Sequence, residues 1–187
     1  MNEWAGQGDH IDFAEMPLTQ LVSTAIDADD ETVTFWRNEV VKFLGTDLLC
    51  YRADVPKELV DAQTAAWDRY LDWFAEAYGV RLGTTAGVTA IAQPVEAIEQ
   101  VREKMECVSS LESLAIYKVT GITGSAVLAL AVWQGAFGAK QSFEASRVDE
   151  KFQSQRWGVD QEALAREQIL FAEFMSLDKL RELLNQV

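Results

Sequence analysis

An all-α fold is what this chain predicts: about seven helices around a central apolar one, with a small β-hairpin near residues 80–91. Three observations carry that prediction. Apolar residues recur every three to four positions along most of the chain, which is the spacing of one buried helix face. Residues that start helices (Asp, Pro) and residues that stop them (Gly) flank these periodic runs. Finally, the 21 residues 119–139 lack any charge, as expected of a helix surrounded by other helices.

The first helix is read over 18–26, ending before the acidic run 27–31. A second covers about 31–44, with Val33, Trp36, Val40 and Phe43 on one side and Gly45 as its stop. After 48–51, Asp54 and Pro56 announce a long helix to about residue 78, whose stripe is Val60, Trp67, Leu71, Phe74 and Tyr78. Gly79 ends it. Residues 80–82 and 88–91 read as two short strands joined across Gly83–Gly87, which makes the hairpin. Pro94 opens a helix over 95–108, and the most apolar helix follows over about 111–133. Gly135 and Gly138 break the pattern before a helix over 145–158 that Gly158 closes. Asp160 then caps a last helix running to about 184 through Leu164, Phe171, Phe174, Leu177, Leu180 and Leu184.

At 49% apolar composition the chain builds a real core and fits one helical domain over 1–187. Sixteen basic against thirty acidic residues give a net charge of −14, which repels phosphates and anionic lipid headgroups. Nucleic acid is therefore not an expected partner. Residues 119–139 are long enough to span a bilayer, but Thr120, Gly121, Thr123, Gly124, Ser125, Gln134, Gly135 and Gly138 dilute them, so membrane insertion is not expected either. Cys50 and Cys107 form no Cys-x-x-Cys pair and are read as buried free thiols of a reducing compartment. With His10 the single histidine, no tetrahedral metal site is expected. No secretory leader is read at the N-terminus.

Catalytic constellations are missing too. There is no Gly-x-Ser-x-Gly elbow, no Walker A loop and no His-Glu-x-x-His, and Gly121-Ile-Thr-Gly124 lacks the Lys-Ser/Thr that would hold phosphate. Asp149 and Glu150 are adjacent, so on a helix they point about 100° apart and cannot flank one bond. No cofactor is expected, and the chain is read as a non-enzyme.

Within 145–158, Ala145, Val148 and Phe152 make one apolar stripe. Glu150 points the other way and shares its face with Phe143, Ser146, Arg147, Gln153, Ser154 and Trp157. A carboxylate between aromatics one heptad to either side suits contact with a partner. Arg147 and Glu150 at i, i+3 equally suit an ordinary surface ion pair. Trp67, Trp73 and Trp133 are read as core or packing residues, and Trp4 as a side chain that packs on a preceding module.

This segment, together with Gly45-Thr-Asp-Leu-Leu-Cys-Tyr-Arg-Ala53 and Trp67-Asp-Arg-Tyr-Leu-Asp-Trp73, resembles the Atp12 family of assembly chaperones for the F1 part of ATP synthase. Further likeness lies in Met16-Pro-Leu-Thr-Gln-Leu-Val-Ser-Thr-Ala-Ile-Asp27, in Thr123-Gly-Ser-Ala-Val-Leu-Ala-Leu-Ala131, in Asp149-Glu-Lys-Phe-Gln153 and in Arg156-Trp-Gly158. The family has Pro where this chain has Arg69, which implies a straighter or earlier-starting helix here. It also carries a strand-rich N-terminal module, and the present chain is read as beginning where that module hands over. The resemblance implies a chaperone that binds the unassembled F1 alpha subunit and shields its assembly interface until beta replaces it. Glu150, with Arg147, Gln153 and Trp157, is the implied partner-binding face, on a monomer in a bacterial cytoplasm or a mitochondrial matrix. The alternative is a non-enzymatic helical interaction domain of another complex.

Overall fold

The computed structural model describes residues 3–87 and 89–186, and among them nine α-helices and one two-stranded sheet are formed. The helices are α1 (Pro17–Asp27), α2 (Asp30–Gly45), α3 (Lys57–Tyr78), α4 (Val95–Glu106), α5 (Ser110–Thr123), α6 (Ala126–Trp133), α7 (Ala139–Ser146), α8 (Val148–Trp157) and α9 (Gln161–Leu184). The strands are β1 (Tyr51–Arg52) and β2 (Thr85–Ala86). The fold is all-α, as the periodicity predicts.

Most helix ends fall where the punctuation places them. Asp29 accepts the Thr32 N–H at 2.8 Å and starts α2. Ser109 and Glu112 form a reciprocal capping box at the head of α5, and Asp160 accepts from Glu162 and Ala163 at the head of α9. Gly79 ends α3 in the left-handed conformation (φ 68°) that a Cβ would oppose. α3 runs unbroken through Arg69, and its core face is Gln63, Trp67, Tyr70, Leu71, Phe74 and Tyr78.

One helix expected to be continuous is broken, and a further helix, α7, forms mostly ahead of the expected 145–158, which turns seven into nine. The run 111–133 splits into α5 and α6 at Gly124 (φ 69°) and Ser125. Part of the cause is local, since Ser125 Oγ accepts the Leu128 N–H at 3.0 Å and caps α6, and part lies elsewhere in the chain. Asp47, fully buried, accepts from Ser125 Oγ at 2.7 Å, Val127 N–H at 2.9 Å and Leu49 N–H at 3.0 Å, so it occupies the free amides at the head of α6. Burial nonetheless pushes its carboxyl up to about 6, against the pull of those donors. From Ala126 to Val132 every residue of α6 is buried, which makes it the central apolar helix, packed by α2, α3, α5, α7 and α9. A break at Arg147 (φ −111°, ψ 19°) separates α7 from α8.

The small sheet differs from the expected hairpin. Thr85 and Ala86 pair in parallel with Tyr51 and Arg52, while residues 80–82 form no strand; Val88, in the second expected strand, lies outside the described residues. Gln93 closes the intervening loop with its side-chain amide, accepting from Gly83 N–H at 2.9 Å and donating to Gly83 carbonyl at 3.1 Å. Those are the bonds that a hairpin partner's backbone would have made. Cys50 is buried, its thiol pushed up to about 12 by burial and the nearby Asp47, but Cys107 is exposed at the end of α4, contrary to expectation. No helix of the described residues is long and apolar enough to cross a membrane.

Candidate functional site

The residues singled out in 145–158 meet at the base of α8, and three separate stretches of chain converge there. From α3, Gln63 accepts the Ala53 N–H at 2.7 Å and donates to Asp149 Oδ1 at 2.7 Å. Also from α3, the fully buried Trp67 donates its indole N–H to the Ala145 carbonyl in the last turn of α7, at 2.7 Å. Arg52 of β1 lies over the Trp67 ring at 5.1 Å and pairs with Asp68 at 2.8 Å. Residues 51–53, 63–68 and 145–149 therefore form one polar seam that holds α7 and α8 onto α3.

On the other side of the same turn, Arg147 reaches α5. Its Nη2 donates to the Ile122 carbonyl and its Nη1 meets Glu150 Oε1 at 3.0 Å, with the guanidinium 5.2 Å from the centre of the Phe143 ring. Nε is buried without an acceptor among the described residues, a cost that the two Nη contacts offset. The Arg147 side chain is only 15% exposed, against 53% for Glu150. A groove of about 460 Å³ opens here between the C-terminal end of α5 (Gly121, Ile122, Gly124) and α8 (Asp149, Glu150, Gln153).

Glu150, Gln153 and Trp157 thus share an exposed face, with Trp157 74% exposed, and Arg147 supports that face from beneath. Phe143 and Ser146 do not belong to it. The break at Arg147 rotates α7 away from α8, so that Phe143 turns into the core against Phe171 and Phe174, and Ser146 is buried. Of the expected stripe, Ala145 is buried while Val148 and Phe152 are half-buried.

Beyond α8 the exposure continues. None of residues 147–173 is buried, and Trp157, Val159, Leu164 and Ile169 all stand out to solvent before α9 enters the core at Phe174. A long stretch with this little burial derives small stability from itself. Scattered surface apolar residues are ordinary; four between Trp157 and Ile169 offer a contact area.

Little here suits catalysis. Asp149 turns to Gln63 and Glu150 to Arg147, so the adjacent carboxylates diverge. The larger cavity, about 640 Å³ between α1, α5 and α9, carries Lys118 and Glu173 paired at 2.8 Å and is otherwise lined by uncharged groups, the polar Gln20, Thr24 and Ser176 among them. His10 is exposed, and no cluster of three metal-ligating residues occurs among the described residues.

Sequence reasoning missed Gln63 and Asp47. Gln63 had a signal: it falls on the Val60–Trp67–Leu71 stripe, and a polar residue on a core stripe must find buried partners. Asp47 had little, because two of its three donors, Ser125 and Val127, lie at a helix break about 80 positions away.

Known proteins resemble this chain in sequence and in fold. The sequence model of the family described as ATP12 chaperone protein matches residues 1–75. The crystal structure of Atp12 from Paracoccus denitrificans is similar over 97% of this chain and 78% of its own, with 32% identity and a TM-score of 0.93. A single-residue mutant of that protein matches at the same identity and TM-score, over 97% of this chain and 77% of its own. The Atu1473 protein from Agrobacterium tumefaciens is similar at 32% identity and a TM-score of 0.90, over 96% of this chain and 68% of its own.

Proposed function

The chain belongs to the ATP12 chaperone family, and from that premise we propose that it binds the unassembled alpha subunit of F1 ATP synthase and shields its assembly interface until the beta subunit takes its place. The observation that carries this reading is the exposed stretch 147–173, which presents Glu150, Gln153 and Trp157 on α8 and continues into the apolar residues at the head of α9. Occupying an interface is a binding act: it stabilises the bound form by mass action and keeps it from self-association, with no bond made or broken. Release follows when beta binds the same alpha surface more strongly. The chain acts in this reading as a monomeric, non-catalytic helical domain in the compartment where F1 is built, a bacterial cytoplasm or a mitochondrial matrix.

Capture experiments test it. The immobilised chain, offered purified alpha and purified beta separately, retains alpha and not beta, and assembled F1 contains none of it. Equal retention of both subunits, or persistence in assembled F1, would favour an interaction domain of another kind.

A further inference from the structure

We propose that Arg147 is a positioning residue: it sets the angle of α8 against the end of α5 and so presents the Glu150 face, without itself meeting the partner. The inference rests on the reading of α8 as the partner-binding face. Three observations carry it. First, Arg147 sits at the break between α7 and α8, where its backbone leaves the helical region and the direction of α8 is decided. Second, its side chain is mostly covered, and its two Nη groups join two elements: Nη2 holds the Ile122 carbonyl of α5 and Nη1 holds Glu150 of α8. A guanidinium does this because its donors lie in a fixed plane, which its packing over Phe143 orients further.

Third, α8 has few other anchors. On the α3 side Asp149 is held by Gln63, and Val148 and Phe152 are only half-buried; no residue of α8 is buried. The first turn is therefore held from two sides, by Gln63 and by Arg147. Removing the Arg147 side would let the helix pivot about the Gln63–Asp149 bond. Glu150, one turn on from Arg147 and more than half exposed, would lose its ion pair and with it its fixed place at the rim of the groove.

The test compares the full chain with Arg147→Ala and Arg147→Lys by amide hydrogen exchange without partner and by capture of purified F1 alpha subunit. In Arg147→Ala the α8 amides exchange at least about tenfold faster while those of α6 are unchanged, and alpha capture weakens about tenfold. Lys, which reaches Ile122 or Glu150 but lacks the planar fork, recovers part of both. Unchanged α8 exchange in Arg147→Ala overturns the proposal, and weaker capture with that result would make Arg147 a contact residue instead. Faster exchange with undiminished capture also overturns it, because binding would then not depend on the angle of α8. If the wild-type chain captures no alpha subunit, the functional reading fails, and the exchange measurement alone decides whether Arg147 holds α8.

Discussion

Glu150 and Asp47 are both carboxylates near the groove, and their surroundings give them opposite work. Glu150 is more than half exposed and paired once, so its ion pair with Arg147 is worth at most about 1 kcal/mol. Glu150→Lys should therefore shift the melting temperature by only a few degrees while abolishing alpha capture; a loss as large as a core truncation would make the residue structural. Asp47 is buried among three donors. Asp47→Asn turns an amide NH₂ toward one of them and costs about 1–3 kcal/mol. The pH dependence has a definite sign. Folding raises the Asp47 carboxyl to about 6, so its protonation-linked stability is full below about pH 4 and is lost as pH rises through about 6. An asparagine does not titrate. The stability difference between wild type and Asp47→Asn, measured by urea unfolding, should therefore be larger at pH 4 than at pH 7; the reverse order would mean that the donors outweigh burial.

At the scale of elements, what was legible depended on how far the deciding partner lies along the chain. Asp29, Ser109 and Asp160 accept from amides within three residues and Gly79 turns left-handed, so the limits of α2, α3, α5 and α9 could be read locally. The α5–α6 break depends in part on Asp47, and the α7–α8 break on Ile122. Neither partner is within ten residues. The face of α8 was half legible for the same reason: Glu150, Gln153 and Trp157 follow from the helical period alone, whereas Phe143 and Ser146 were misplaced by a break that periodicity does not encode. Gly124 tests the break itself. At φ 69° a Cβ is strained while the nearest side-chain atom, Leu48 Cβ, stays at ordinary contact distance. Gly124→Ala should accordingly cost about 1 kcal/mol through backbone strain alone, seen as a lower urea midpoint with an unchanged slope. No loss would mean that the break relaxes freely.

Across the whole molecule, stability and exposure are divided between two regions. The core gathers around α6, every residue of which from Ala126 to Val132 is buried, whereas no residue of 147–173 is fully buried, and that stretch is attached through the polar seam, the Arg147 contact and the half-buried Val148, Leu170 and Phe171. Such a division suits a chaperone: a rigid body presents a surface whose own contacts leave it available for a client. Hydrogen exchange should show it directly, with 147–173 exchanging much faster than α6 in the free chain and becoming protected when alpha is bound. Protection appearing elsewhere would move the contact off this surface.

The most direct measurement is the affinity of purified F1 alpha and beta subunits for the wild-type chain and for Glu150→Lys, taken side by side with their melting temperatures. Tight binding of alpha alone, lost in Glu150→Lys while the melting temperature holds within a few degrees, is the predicted result. Alpha binding that survives the charge reversal would contradict the assignment of the α8 face, and failure of the wild-type chain to prefer alpha over beta would contradict the function itself.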